Sequence, residues 1–546
     1  MATRFKAAAN DTRPRDAYDL VSRLVSRELV FGVVGPVGSG TSEVAEALES
    51  FLDKAGYVAV TLKARDVITS WSENGGGVIP GESKMDQTEA LQDAGDAFRL
   101  NSGVSAVAVS LIEQIRFHRA SSIGVPIKEG EAVRPDDKKR AYILDSLRNP
   151  AEVSLLRRVY QQAFCLVGVI CDEETRRLRL SHKYDDAGRA RIEAFMKRDE
   201  KAEEKHGQQV SSTFHLSDFF IENSVPRYLK NAVGESLANP DWTVVDELAR
   251  LVDVLTHSKI IRPRPNETAM YHAYGARMRS ACLSRQVGAA LLDQKGNLLA
   301  TGTNEVPRAG GGVYGGAFED FSDQDPHPES DHRCAVHGGF CRNTREQNGI
   351  IEELIDGIVE LKSSSSEDLI KRLRSTRIGQ LIEFSRAVHA EMEALLSAAR
   401  EGVSTVGSRL FVTTYPCHNC ARHIVAAGVD EVQFIEPYLK SKALPLHGDS
   451  ITSDKSGWMP PSAFALQSLE ERRGKVPQVL FKAFTGVAPR LYRRAFYKDR
   501  DLKDGNTGNM LTRFPDADGT GVASVLQLSY SQVEAMLTNP NNDKVQ

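Results

Sequence analysis

The pairing of His389-x-Glu391 with Pro416-Cys417-x-x-Cys420 restricts the folding of this chain more than any other feature. One imidazole and two thiolates give Zn²⁺ three protein ligands and leave the fourth tetrahedral position to water, the layout of a reactive rather than a purely structural site. To share one ion, His389, Cys417 and Cys420 must converge. Apolar residues at Met392, Leu395, Leu396 and Ala399 predict a helix over 389–399 with one buried face. Leu410-Phe411-Val412 predicts a strand over 409–414 that delivers Pro416-Cys417 to a second helix, 421–428, and 430–435 reads as the next strand. Thiolates at a helix amino terminus gain from the macrodipole. Glu391 stands two positions from a ligand, placed to move protons rather than to hold metal. A lone Cys-x-x-Cys would fit a structural zinc knuckle equally well; four matched positions in order argue against that.

Length and charge set bounds on the rest. The 546 residues suffice for two or more domains with their own cores. A net charge of -4 and a pI of about 6.4 do not mark a nucleic-acid binder. Seven cysteines, an odd and sparse set, suggest a reducing compartment. With no run of about 18 apolar residues and no signal-peptide core in the polar start, a soluble, cytoplasmic protein without a membrane partner is expected.

The amino-terminal half carries a second phosphate-type pattern. Leu29 to Val34 reads as a buried strand, followed by Gly35-Pro36-Val37-Gly38-Ser39-Gly40-Thr41-Ser42 and a helix over 43–55. A strand, a glycine loop and a helix in this order form a P-loop context, but Thr41 stands where the phosphate-binding lysine belongs. Backbone amides of Gly35, Gly38, Ser39, Gly40, Thr41 and Ser42 can still hold phosphate, whereas the point charge that serves phosphoryl transfer is gone. Ala141 to Asp145 reads as a strand ending in a carboxylate suited to Mg²⁺ beside a bound nucleotide, and Leu166 to Ile170 as another parallel strand. Arg176, Arg177, Arg179, Arg189, Arg191, Lys197, Arg198 and Asp199 form charged helices similar to a nucleotide-kinase lid; for any single arginine a solvated helix face is the expectation. Alternating strands and helices predict a doubly wound α/β sheet, P-loop and kinase-like, over residues 1–258. A nucleotide-binding, degenerate and regulatory domain fits better than an active kinase.

Arg262-Pro263-Arg264-Pro265 predicts an extended linker, 259–268. Beyond it, a helix over 269–281, a strand over 284–292, the turn 293–297 and the strand 298–302 lead to Asn304-Glu305-Val306-Pro307. Residues 308–345 are irregular and gather His327, His332, Cys334, His337 and Cys341. A serine run, Ser363 to Ser366, separates two helical stretches, so 308–385 reads as an insertion. The second domain spans 269–500, and a polar tail, 501–546, carries one apolar stretch, Val522 to Leu528.

His-x-Glu followed by Pro-Cys-x-x-Cys resembles the signature of zinc-dependent nucleobase deaminases. The hairpin with Val287-Gly288-Ala289 and the following Asn304-x-x-Pro307 resemble the opening of deoxycytidylate deaminases. That likeness implies a cytidine-deaminase-like α/β/α sandwich and assigns Asn304 to the substrate pocket. It also implies a second, structural Zn²⁺ on Cys282, Cys334, His337 and Cys341. Arg386 to Glu391, Glu436 to Ser441, Leu446 to Ser450 and Phe484 to Pro489, with the lysine-free glycine loop, make the whole chain similar to bacterial anti-phage dCTP deaminases, in which a kinase-like domain is fused to a deoxycytidylate-deaminase-like one. The resemblance implies hydrolytic deamination of dCTP and also dCMP to uracil nucleotides and ammonia, with Glu391 carrying protons to N3 and to the departing amine. It implies an inhibitory small RNA as a partner, and a homo-oligomer is expected. Two departures stand out. Glu393 replaces the asparagine common in His-Ala-Glu-x-Asn, and the allosteric nucleotide loops are not evident around Gly310 to Gly316. The alternatives are a polynucleotide-editing cytidine deaminase, which would need a basic aromatic groove, and a housekeeping dCMP deaminase with an active kinase domain.

Overall fold

The computed structural model describes residues 26–75, 81–128, 130–136, 138–200, 206–231, 235–315, 331–358, 361, 366–438, 440–498, 501–511 and 527–539. His327, Gly316, most of the serine run and most of the apolar stretch 522–528 lie outside these residues. The chain forms two compact units, Met1–Arg262 with Arg493–Gln546, and Pro263–Tyr492.

In the first unit β1 (Glu28–Val34) is buried along its whole length, as a strand covered on both faces must be. The loop after it feeds α1 (Thr41–Lys54), and β2 (Val58–Lys63) follows. Then come α2 (Ala64–Asn74), α3 (Lys84–Ser102), α4 (Ala106–Ile123) and β3 (Arg140–Asp145). The unit continues with α5 (Pro150–Tyr160), β4 (Phe164–Ile170), α6 (Glu173–Lys183), α7 (Arg189–Glu200) and β5 (Phe219–Glu222). These strands lie in the order β5-β4-β1-β3-β2, every pairing parallel, with Val33 beside Asp145 in register. Parallel strands need crossover helices, which bury the sheet. The core on one face includes Val30, Leu111, Ile115, Leu144 and Leu166. Each such side chain contributes roughly 1.5–3 kcal/mol when fully buried.

The same core takes in Tyr530, from the carboxy-terminal helix Gln527–Leu537. The described helix of the 501–546 stretch is therefore part of the domain rather than a tail: it packs on α4 and α5. Its Glu534 meets Arg119 at 2.6 Å, and Arg119 also holds Glu28 at 2.7 Å, all three groups buried. Burial works against the guanidinium charge, but the two carboxylates outweigh it and keep Arg119 well above its ordinary pKa. The hydroxyls of Tyr160 and Tyr530 donate to Glu534 and Glu28 at 2.7 and 2.9 Å, completing the acceptors of this pair. Buried acids without such donors would be strongly destabilising.

The linker ends earlier than its prolines suggest. The helix α8 (Pro265–Arg277) starts on Pro265, because the first helical position needs no N–H. Next, β6 (Gly288–Leu292) and β7 (Leu298–Thr303) form an antiparallel hairpin. Ser284 to Val287 are loop rather than strand, because the Asn304 side chain binds their backbone: Val287 N–H donates to its Oδ1 and its Nδ2 donates to Arg285 O, both 2.6 Å. In the insertion a helix covers Arg342–Gly357 and a shorter one Ser366–Arg374. Then come α9 (Ala390–Arg400), β8 (Arg409–Thr414), α10 (His418–Ala426), β9 (Glu431–Glu436), β10 (Ile451–Thr452) and β11 (Val479–Ala483). The sheet runs β10-β11-β9-β8-β6-β7; β8 is parallel to β9 and antiparallel to β6.

Two glycines let helices lie directly on this sheet. A Cβ on Gly288 would sit 2.0 Å from Ala273 O in α8, and one on Gly302 would sit 2.0 Å from Ala390 O in α9. Gly288 pairs with Thr303 and Gly302 with Ala289, so the two glycines point to opposite faces. The helices α8 and α9 thus sandwich the sheet, and α10 joins α9 around Leu291, Ala394, Leu410, Ala421 and Ile424. Among the described residues no helix is long and apolar enough to cross a membrane.

Candidate active site

Two helix starts meet at the edge of this sheet. His389 is the residue that caps α9 and Cys417 the one that caps α10, where the Cys420 N–H donates to the Cys417 sulfur at 3.4 Å. The second helix therefore begins three residues earlier than its apolar pattern suggests. Gly302 brings α9 down onto β7, Val388 N–H donates to Glu305 O at 3.0 Å, and Ser441 Oγ donates to Pro416 O at 2.8 Å. Backbone on both sides of the ligands is thereby fixed.

His389 Nδ1 lies 3.4 Å from Cys417 Sγ and 3.3 Å from Cys420 Sγ, and the three ligand atoms lie within 4.8 Å of one another. Zn–S and Zn–N bonds of about 2.3 and 2.0 Å at a tetrahedral angle place N and S about 3.5 Å apart. The donor set and spacing fit Zn²⁺. The proton that Cys420 shares with Cys417 lowers the Cys417 thiol to about 4, with help from the His389 hydrogen bond, and raises the Cys420 thiol well above its ordinary value. Zinc would replace the shared proton. His389 is raised to about 9, chiefly by its hydrogen bond to Cys417.

Glu391 sits in the first turn of α9, 4% exposed. Burial pushes its carboxyl up to about 7, against the lowering effect of His389. A carboxyl balanced between its two forms near neutral pH is suited to accept and return a proton. When bound, zinc makes a water molecule acidic enough to act as nucleophile near neutral pH.

With this geometry, comparison with known proteins is decisive. Residues 263–436 match the family model described as "Cytidine and deoxycytidylate deaminase zinc-binding region". The chain is 30% identical to the deoxycytidylate deaminase of Enterobacteria phage T2 over 177 residues, covering 32% of this chain and 81% of the phage protein. The chain belongs to the cytidine and deoxycytidylate deaminase family. The deaminase is a zinc-dependent hydrolase. It is also 29% identical to the deoxycytidylate deaminase of phage T4 over 177 residues, covering 32% of this chain and 79% of that protein. Among solved structures it is similar to the dCMP deaminase of cyanophage S-TIM5, with 18% identity and a TM-score of 0.21, over 41% of this chain and all of that one.

The other predicted residues are placed as follows. Asn304 is buried, and both ends of its amide serve the 285–287 loop. Cys282, Cys334 and Cys341 line one pocket open to solvent, together with Glu305 and Arg386. His337 lies beside His332, the rings tilted by 60° with centres 5.2 Å apart. Among the described residues the atoms that gather at metal-ligand distance are those of His389, Cys417 and Cys420. Glu393 pairs with Arg400 at 2.8 Å.

In the amino-terminal unit, Gly38 and Gly40 adopt φ of 83° and 82°, which lets the loop turn tightly into α1. Ser42 Oγ donates to Asp145 Oδ2 at 2.7 Å, and Thr41 Oγ1 lies 3.2 Å from Ser146 Oγ. Gly35 follows β1, and Ser39 N–H donates to Pro36 O at 3.0 Å.

Sequence reasoning missed several residues. Glu305 is a buried carboxylate that accepts the N–H groups of Ala281 and Val306 at 2.7 and 2.9 Å. Tyr438, two residues past β9, has its hydroxyl raised above the ordinary value by burial and by the charge of Cys417, against Arg285. An aromatic residue just beyond the strand next to the ligand loop was the available signal. Arg176 and Asp199, read as part of a solvated face, are both buried.

Proposed function

We propose that the deaminase acts on free deoxycytidine nucleotides, dCTP and also dCMP, converting them to uracil nucleotides and ammonia, and so depletes dCTP during phage infection. The carrying observation is the buried Glu391 beside three ligand atoms spaced for Zn²⁺. The phage T2 and T4 relatives are named deoxycytidylate deaminases, which favours a nucleotide over a polynucleotide. Water adds at C4 of cytosine, the C4–N bond breaks, and the products are uracil and ammonia. Glu391 takes a proton from the attacking water, delivers it to N3, and assists protonation of the departing amine. His389, Cys417 and Cys420 would hold the zinc. Asn304 holds the loop that carries Arg285 beside Tyr438, and this edge is assigned to the nucleotide.

Incubation of the purified protein with dCTP, dCMP, CTP and single-stranded DNA, followed by ammonia and product analysis, tests this. Turnover of dCTP and dCMP is expected; product from DNA alone would overturn the assignment.

The same reading assigns the glycine loop 35–42 to nucleotide phosphate, with Mg²⁺ at Ser42 and Asp145, in a unit that binds rather than transfers phosphate. The left-handed glycines and the Ser42–Asp145 contact support the first part, and Thr41 in place of lysine supports the second. A second zinc on Cys282, Cys334, Cys341 and His337 belongs to this reading too: the three cysteines line one pocket, but the four ligand atoms are not gathered at metal-ligand distance, so they would have to close around the ion. Two zinc ions per chain by metal analysis are expected; one would remove the second site.

A further inference from the structure

The glycine loop of the amino-terminal unit already has an anion against it. Val37 N–H donates to Asp199 Oδ2 at 2.7 Å, across 162 positions of sequence. Asp199 comes from the last turn of α7 and is 1% exposed. Its other oxygen pairs with Arg148 at 2.5 Å, and Arg148 also reaches Gly35 O at 3.4 Å. Arg176 closes the other side: a Cβ on Gly38 would lie 2.9 Å from its carbonyl oxygen.

Other buried donors of this region are left unsatisfied. Arg176 is 6% exposed and bonds Glu200 through Nη2 at 3.2 Å, while its Nε and Nη1 have no partner among the described residues. Its charge acts on Asp199. Ser39 Oγ, fully buried in the loop itself, is also unpartnered among the described residues. Unpaired buried donors are costly, and they are the groups that a phosphate, with three oxygens to spare, would satisfy. Burial raises the Asp199 carboxyl above its ordinary value in spite of Arg148, so its charge is held there against a desolvation cost.

We propose that Asp199 is a built-in occupant of the phosphate position of this loop, and that a ligand of the nucleoside triphosphate class binds by displacing it together with the end of α7. This rests on the assignment of the loop to nucleotide phosphate. On displacement Val37 N–H and Arg148 pass from the carboxylate to the phosphate, and Nε and Nη1 of Arg176 gain an acceptor. An internal competitor scales the apparent affinity down to the fraction of time the loop is free of it, and its release turns loop occupancy into movement of α7.

The test is titration of the full chain with ATP, with and without Mg²⁺, for wild type and Asp199→Asn. Asparagine keeps an acceptor for Val37 N–H and removes the charge. At least tenfold tighter ATP binding by the variant is expected. Equal or weaker binding by the variant overturns the displacement while leaving the loop as a nucleotide site; no ATP binding by either protein overturns the loop assignment itself and the displacement with it. Hydrogen exchange on wild type at saturating ATP does not depend on the variant folding. Residues 35–42 should stay protected while 189–200 lose protection, and protection of both segments overturns the proposal.

Discussion

The zinc site and the glycine loop are built alike, each at a strand end that runs into a helix start, yet they stand in opposite states. At the zinc site the ligand atoms face one another across a gap sized for the ion, and the neighbouring acid is buried with its carboxyl raised to about 7. At the glycine loop the central amide is already committed to an internal carboxylate. A helix amino terminus attracts negative charge in both places. What differs is the supplier: Cys417 brings the thiolate that the metal needs, whereas Asp199 brings a charge that a phosphate must replace. The difference teaches that motif geometry alone does not announce whether a site is ready.

The largest effect should come from the prepared site. Glu391→Gln should lower the deamination rate by about 10²–10⁴-fold, the usual contribution of a positioned general acid–base, with zinc content unchanged by metal analysis. A variant that deaminates at the wild-type rate would sink the assignment of Glu391. Next is Arg119→Met, which leaves two buried carboxylates unpaired in the other unit. It should destabilise that unit by about 3–5 kcal/mol in denaturant titration, while zinc content holds; a parallel loss of zinc would show that the two regions do not stand apart. Gly302→Ala comes third. Its methyl group meets Ala390 O, so a cost of about 1–3 kcal/mol is expected from overpacking, with a fall in kcat because His389 and Glu391 ride on α9. Unchanged melting and kcat would mean that α9 is not pinned at this point. Asn304→Ala is the mildest. Loss of its two backbone contacts should cost about 1–2 kcal/mol and appear mainly as a raised KM for the nucleotide; an effect on kcat alone would speak against its place at the substrate edge.

What could be read from the sequence was whatever lies close together along it. His389, Glu391, Cys417 and Cys420 fall within one helix–strand–helix span, and β1, the glycine loop and α1 are contiguous, so local pattern was enough to find both. The misses are long-range. Asp199 looks like one more charge on a polar helix until Val37 and Arg148 close around it. Arg119 looks like a surface arginine until Glu534, 415 positions away, supplies its partner. Ser284 to Val287 alternate like a strand, but a side-chain amide from Asn304 competes with the ladder for their backbone groups and wins. Pro265 looked like linker because a proline stops a helix everywhere except where one begins.

The buried triad of Glu28, Arg119 and Glu534 also orders events during synthesis. Residues 263–492 leave the ribosome before the helix Gln527–Leu537, although the unit that needs this helix begins far earlier in the chain. At about 5–20 residues per second, the zinc unit has all of its residues seconds before the amino-terminal unit can seal its core. During that interval Arg119 and Glu28 wait for a carboxylate not yet made, and the unit begun first is the one finished last.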